Sequence, residues 1–231
     1  MRRATSSIDP GRGWSRTSLA PVLAPVLIAL ACVTGCGGGG PTAPNPPGTR
    51  EQCLAGAVFG SPASAPYCLP WASGTAFEVG QAYCSPPGAS HHRRYAYDFM
   101  MPMDTEVLAA RAGIVVELRE HWPDDDPQGG HENMVSLRHD DDTISLYIHM
   151  RQDGVLVEMG DSVPRGGLLG WSGSSGTSIP HLHFQVCLRS GECSTATREV
   201  TLPVSFRNAQ GPLDPRGGLA VGTSYTALPC Q

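Results

Sequence analysis

Histidines carry the first chemical signal in this sequence. His181-Leu182-His183 lies within IPHLHFQV (179–186), whose alternation of polar and apolar residues reads as a β-strand. A period of two puts His181, His183 and Gln185 on one face and Leu182, Phe184 and Val186 on the other. The two imidazoles then stand about 6–7 Å apart at Cβ, so both can serve one centre, as two ligands or as a ligand and a base. His149 ends a second alternating stretch, TISLYIHM (143–150), and is expected on the polar face with Ser145 and Tyr147, opposite Ile144, Leu146 and Ile148. Ser90-His91-His92 precedes YAYDF, which contributes the carboxylate of Asp98. Imidazoles and a carboxylate are zinc ligands. Three of them leave a fourth position for water, whereas a fully ligated ion is structural. The chemistry expected is a water with its pKa lowered toward 7 and a polarised carbonyl.

Other chemistries fit poorly. His131-Glu132 has Val135 where an HExxH motif needs its second histidine, and no GxSxG surrounds Ser172, Ser174 and Ser175. Asp124-Asp125-Asp126 lacks the alternation of a calcium loop. All 16 basic residues are arginine, which excludes a lysine nucleophile, a Schiff base and a P-loop. The formal net charge is −5 and no basic stripe exists to follow a phosphate backbone, so nucleic acid is not expected as a partner.

The elements that position these groups read as strands and turns. Gly 28 plus Pro 21 makes 49 of 231 residues, which favours short strands over long helices. VLAARAGIVVELRE (107–120) is a β-rich run. NMVSLRH and TISLYIHM bracket the turn Asp140-Asp141-Asp142 as a hairpin. No segment beyond residue 35 sustains helical periodicity, so the fold class is mostly β. Residues 51–89 are expected to form a disulfide-tied strand pair leading into a core at 90–190. Residues 191–231 should pack on that core as an edge strand and clamp.

The N-terminus reads as an address. Arg2, Arg3, Arg12 and Arg16 precede the apolar run Leu19–Thr34, which is short for a membrane span and suits a secretory signal. Val33-Thr34-Gly35-Cys36 resembles the bacterial lipobox, with Cys36 as the lipid acceptor. The Gly/Pro-rich stretch 36–50 suits a tether. Loss of residues 1–35 leaves 12 basic and 20 acidic residues, a net −8. Six cysteines then remain (Cys53, Cys68, Cys84, Cys187, Cys193 and Cys230), and an even number in an exported chain implies three disulfides. Cys187 and Cys193 flank LRSGE and pair naturally. The other four allow three pairings.

From His91 to Val186 the chain resembles the M23 metallopeptidases, the lysostaphin and LytM-like peptidoglycan endopeptidases. YAYDFMMPMDTEVLAARAGIVVEL, ENMVSLRHDDDTISLYIHM and GDSVPRGGLLGWSGSSGTSIPHLHF match its three blocks in order. The resemblance implies a compact antiparallel β core with the site in a groove. It also implies one zinc ion held by His91 or His92, Asp98 and His183, with His181 and His149 acting on water and transition state. It places Asn133 along the groove and makes peptidoglycan peptides the substrate of a monomeric enzyme. The lipobox places that enzyme on a membrane of the cell envelope. Three positions depart from the family pattern. Arg94 stands where many members carry the first histidine, Asp104 replaces a glycine, and Glu132 replaces the glycine before Asn133. The alternative is a non-catalytic relative, an envelope scaffold or amidase activator, although such members usually lose ligands. The lipobox has its own test: Cys36→Ala should move the protein from the membrane fraction to the soluble one, and unchanged fractionation would remove the anchor.

Overall fold

The computed structural model describes residues 48–89, 91, 94–188 and 200–231. The expected signal segment, Cys36, most of the tether, His92 and Cys193 lie outside the described residues. No helix among those described is long and apolar enough to cross a membrane.

The fold is mostly β, with twelve strands among the described residues. In chain order they are β1 (Ala76–Gln81), β2 (Ala96–Phe99), β3 (Glu106–Leu108), β4 (Gly113–Arg119), β5 (Met134–Arg138) and β6 (Ile144–Ile148). They continue with β7 (Met150–Val155), β8 (Ser162–Val163), β9 (Leu168–Ser172), β10 (Leu182–Cys187), β11 (Ala209–Gln210) and β12 (Ser224–Ala227). Nine form one sheet in the order β11-β12-β1-β2-β10-β6-β5-β4-β8, and β3, β9 and β7 form a second. Every strand pairing is antiparallel.

The lead-in differs from expectation. It opens with a helix, α1 (Arg50–Gly56), rather than a strand. Thr49 and Gln52 form a capping box: the Thr49 side chain accepts from Gln52 N, and the Gln52 side chain accepts from Thr49 N. Thr-x-x-Gln is the sequence signature of that cap, and it starts a helix too short to show periodicity. Only β1 of this region is a strand. It pairs with β2 on one side and with the C-terminal β12 on the other, so both flanks extend the central sheet. Disulfides tie them: Cys53 to Cys84, and Cys68 to Cys230. Cys187 is also disulfide-bonded.

Two rows of residues run across β2, β10, β6 and β5. Tyr97, Phe184, Tyr147 and Val135 stand opposite one another, as do Asp98, His183, Ile148 and Met134. Directly opposed residues share a face. The first row belongs to the main core, where Phe184 meets Tyr147 at 5.3 Å and Phe206 at 5.6 Å between ring centroids. The second row carries the chemistry, beside a smaller apolar cluster of Met134, Ile144, Leu146, Ile148 and Cys187. The polar and apolar faces expected for β6 are therefore reversed with respect to the site. Tyr147 is fully buried in the main core, where its hydroxyl accepts from Ala110 N. Strand β6 is buried on both sides, so alternation of polarity is a poor guide to which face carries the site.

Phe184 joins the aromatic core directly behind His183. Phe184→Ala should lower unfolding free energy by about 3–5 kcal/mol in denaturant titration, the usual range for a buried phenylalanine.

Candidate metal centre

Asp98 and His183 are register partners on β2 and β10, so the carboxylate and the imidazole rise from the same face side by side. His91 comes from the turn before β2. Its backbone accepts from Ser85 N and Arg94 N, and its ring is fully buried. The three side chains converge. His91 Nε2 lies 3.2 Å from Asp98 Oδ1 and 3.0 Å from His183 Nδ1, and His183 Nδ1 lies 3.0 Å from Asp98 Oδ1. Of the two expected alternatives, the structure brings His91 to the centre.

The outer partners assign the protons. His183 Nε2–H donates to Gln185 Oε1 at 2.9 Å, leaving a lone pair on Nδ1. Gln81 Nε2 donates to Asp98 Oδ2 at 3.1 Å and leaves Oδ1 for the centre. Three acceptor atoms thus crowd one point and need a shared positive charge. Burial opposes ionisation of Asp98, but the adjoining imidazoles of His183 and His91 outweigh it and hold the carboxyl well below its usual range. Burial alone would depress His183, and the Asp98 carboxylate overrides that and raises it. Burial lowers His91, against the pull of Asp98.

A metal ion fits this point. Ligands on a tetrahedral zinc with bonds of about 2.1 Å stand roughly 3.4 Å apart, near the separations seen here. Two imidazole nitrogens and a carboxylate oxygen are a common zinc donor set, and the three atoms lie within 4.8 Å of one another. His91 Nδ1 is buried with no hydrogen-bond partner among the described residues, so Nε2 is its only engaged nitrogen.

Two more imidazoles face the same point. His181 Nδ1–H donates to Ile179 O at 2.7 Å, and its Nε2 stands 3.6 Å from Asp98 Oδ1. His149 Nδ1–H donates to Ser175 O at 2.7 Å, which leaves Nε2 bare. The two rings sit 4.5 Å apart. Strict alternation along β6 would send His149 into the core with Tyr147. Instead the strand ends at Ile148, and His149 takes φ of 67°, a left-handed conformation that costs a non-glycine residue energy. That turn carries the ring to the side of His181. Burial, then the charge of His181, pushes the His149 pKa down to about 3, so this ring is neutral.

The centre opens into a cavity of about 360 Å³ lined by Arg94, Asp98, Glu132, Ile148, His149, Gly176, Thr177, His181 and His183. A second cavity, of about 320 Å³, continues past Asp98, Thr177 and His181 to Gln81 and Met100. Together they make a groove with the histidines at its middle. A larger cavity of about 910 Å³ around Arg111, Arg138 and Arg165 contains no converging ligands, so volume does not identify the site.

Asn133 is a correction. It was expected to line the groove, but it is fully buried. Its Nδ2 donates to Trp122 O and Met150 O, and its Oδ1 accepts from Trp122 N, so it pins the loop before β5 in place. Gln81 and Gln185 support the site without being among the residues expected there. Gln185 shares the face of His181 and His183 in the sequence pattern, which was its available signal. Gln81 had none, because a register partner 17 residues away is visible only in the sheet.

Residues 92–195 match Peptidase family M23, a segment that begins directly after His91. The chain is 37% identical over 112 residues to lysostaphin of Staphylococcus simulans, covering 48% of this chain and 21% of that protein. It is 36% identical over 112 residues to the glycyl-glycine endopeptidase ALE-1 of Staphylococcus capitis, covering 48% of this chain and 29% of that one. Lipoprotein NlpD of Yersinia enterocolitica matches at 38% over 58 residues, 25% of this chain and 58% of that one. The chain thus spans between a fifth and a third of the length of the two staphylococcal relatives.

Gln185 holds the tautomer of His183, and such partners are worth 10–100-fold in metal affinity. Gln185→Leu should weaken zinc binding by about that factor in competition with a chromogenic chelator.

Proposed function

We propose, from the match of residues 92–195 to peptidase family M23, that this protein is a zinc endopeptidase that hydrolyses peptide bonds in the stems or cross-bridges of peptidoglycan. The observation that carries the reading is the convergence of His91, Asp98 and His183 with the Nε2 atoms of His149 and His181 on one side. A scaffold that had lost catalysis would have no need of that full set. The glycyl-glycine endopeptidase among its relatives supports peptide-bond hydrolysis as the reaction.

His91, Asp98 and His183 would hold the ion. Zinc bound there supplies Lewis acidity, lowering the pKa of water toward 7 and polarising the scissile carbonyl. The chain's residues do the rest. The groove on either side of Asp98 and His181 seats an extended peptide with its carbonyl over the centre. Because each Nδ1–H is committed to a backbone carbonyl, Nε2 is the working atom of both His149 and His181. One accepts the proton of the attacking water and returns it to the leaving amine. The other hydrogen-bonds the tetrahedral oxyanion. Positioned proton transfer of this kind is worth about 10²–10⁴-fold.

The lipobox at Cys36 and the tether after it support a location on a membrane of the cell envelope, within reach of the wall. The likeness to a lipoprotein of Yersinia enterocolitica supports that placement. Purified protein should contain about one zinc per chain and release peptide fragments from peptidoglycan. His181→Ala should keep the zinc and lower kcat at least 100-fold. A folded protein that binds no zinc when zinc is supplied would overturn the reading.

A further inference from the structure

We infer that Glu132 makes one wall of the cleft a receptor for a primary ammonium group, and that the enzyme selects peptides with a free amino group next to the bond it cuts. The inference rests on the endopeptidase reading above and adds the substrate class.

Glu132 lines the cavity that holds His149, His181 and His183. It is only 7% exposed. Its Oε1 accepts from Gly130 N at 2.9 Å. Its Oε2 is buried and has no hydrogen-bond partner among the described residues. Withdrawing a carboxylate oxygen from water without a donor is unfavourable, and a substrate donor that reaches it recovers the cost.

The carboxylate cannot easily swing away to find water. The preceding ring, His131, stacks on Trp122 with centroids 3.6 Å apart and planes 5° from parallel. The following residue is the pinned Asn133. From the other side Gly176 closes on the Glu132 side chain. A Cβ at Gly176 would stand 2.6 Å from Glu132 Cγ, and its φ of +72° also favours glycine. The glycine leaves the room that Glu132 occupies. The acceptor is therefore preorganised, and the ligand must come to it.

The geometry also selects the kind of cation. A guanidinium binds a carboxylate best through both oxygens, but Oε1 is already committed to Gly130. One free oxygen suits a point charge, which is what an ammonium group presents. A neutral amide N–H satisfies the same oxygen with about half the strength.

The test uses two synthetic peptides with peptidoglycan-type stems, identical except that the amino group beside the scissile bond is free in one and acetylated in the other. The zinc-loaded protein should cleave the free amine with kcat/KM roughly 10-fold or more above the acetylated peptide, the scale of one buried charged hydrogen bond. Glu132→Gln keeps an acceptor for Gly130 but offers N–H where Oε2 stood. Its preference should shrink to within about twofold, at unchanged zinc content. A Gln variant that keeps the preference overturns the inference, as does a wild-type protein that cleaves both peptides alike. The second comparison needs no variant and stands even if Glu132→Gln fails to fold. In both of those outcomes peptide cleavage persists and the endopeptidase reading survives. Cleavage of neither peptide overturns both.

Discussion

The register of β10 against β2 is the constraint on which the rest depends. It sets His183 opposite Asp98 on one face and Phe184 opposite Tyr97 on the other. A slip of β10 by one residue would exchange its faces, sending the His183 imidazole into the aromatic core and Phe184 into the cleft. Neither can tolerate the exchange, so core packing and site assembly impose the same alignment. The aromatic layer of Tyr97, Phe99, Tyr147, Phe184 and Phe206 therefore positions the ligands.

Burying so much polarity on one sheet face has a cost, and the structure meets it group by group. Gln185 takes the far nitrogen of His183, Gln81 takes the far oxygen of Asp98, and backbone carbonyls take one nitrogen each of His149 and His181. The atoms left over point at one place. This arrangement differs from a set of mutually satisfied buried polar groups, which would leave nothing to bind. The strained backbone at His149 belongs to the same design, because only a break in alternation brings its ring round to the others.

The wall opposite the ligands is built differently. The loop between β4 and β5 is held by side chains rather than by a ladder. Asp124 accepts from Ser174 N and Gln152 N, the hydroxyl of Ser174 donates back to Asp124 O, and Asn133 bridges Trp122 and Met150. Asp124, the first of the acidic triplet, thus contributes a brace. A loop fixed this way can carry a residue such as Glu132 at a defined position while its sequence departs from the family pattern.

The sequence by itself determined the donor types, the shared face of His181, His183 and Gln185, and the mostly β class. Each follows from local periodicity, and an alternating strand has the same faces wherever it lies. It also pointed to His149 and Asp98 for the same chemistry, but through family resemblance rather than through any local rule. The tertiary structure decided what depends on partners far along the chain. It brought His91 to the centre and made Gln81 a support for Asp98. It turned Asn133 inward and reversed the faces of β6, because a strand covered on both sides shows no polarity to read. The flanks followed the same logic: nothing local to β1 or β12 announces their pairing, and only the assembled sheet puts β12 beside β1 and β1 beside β2.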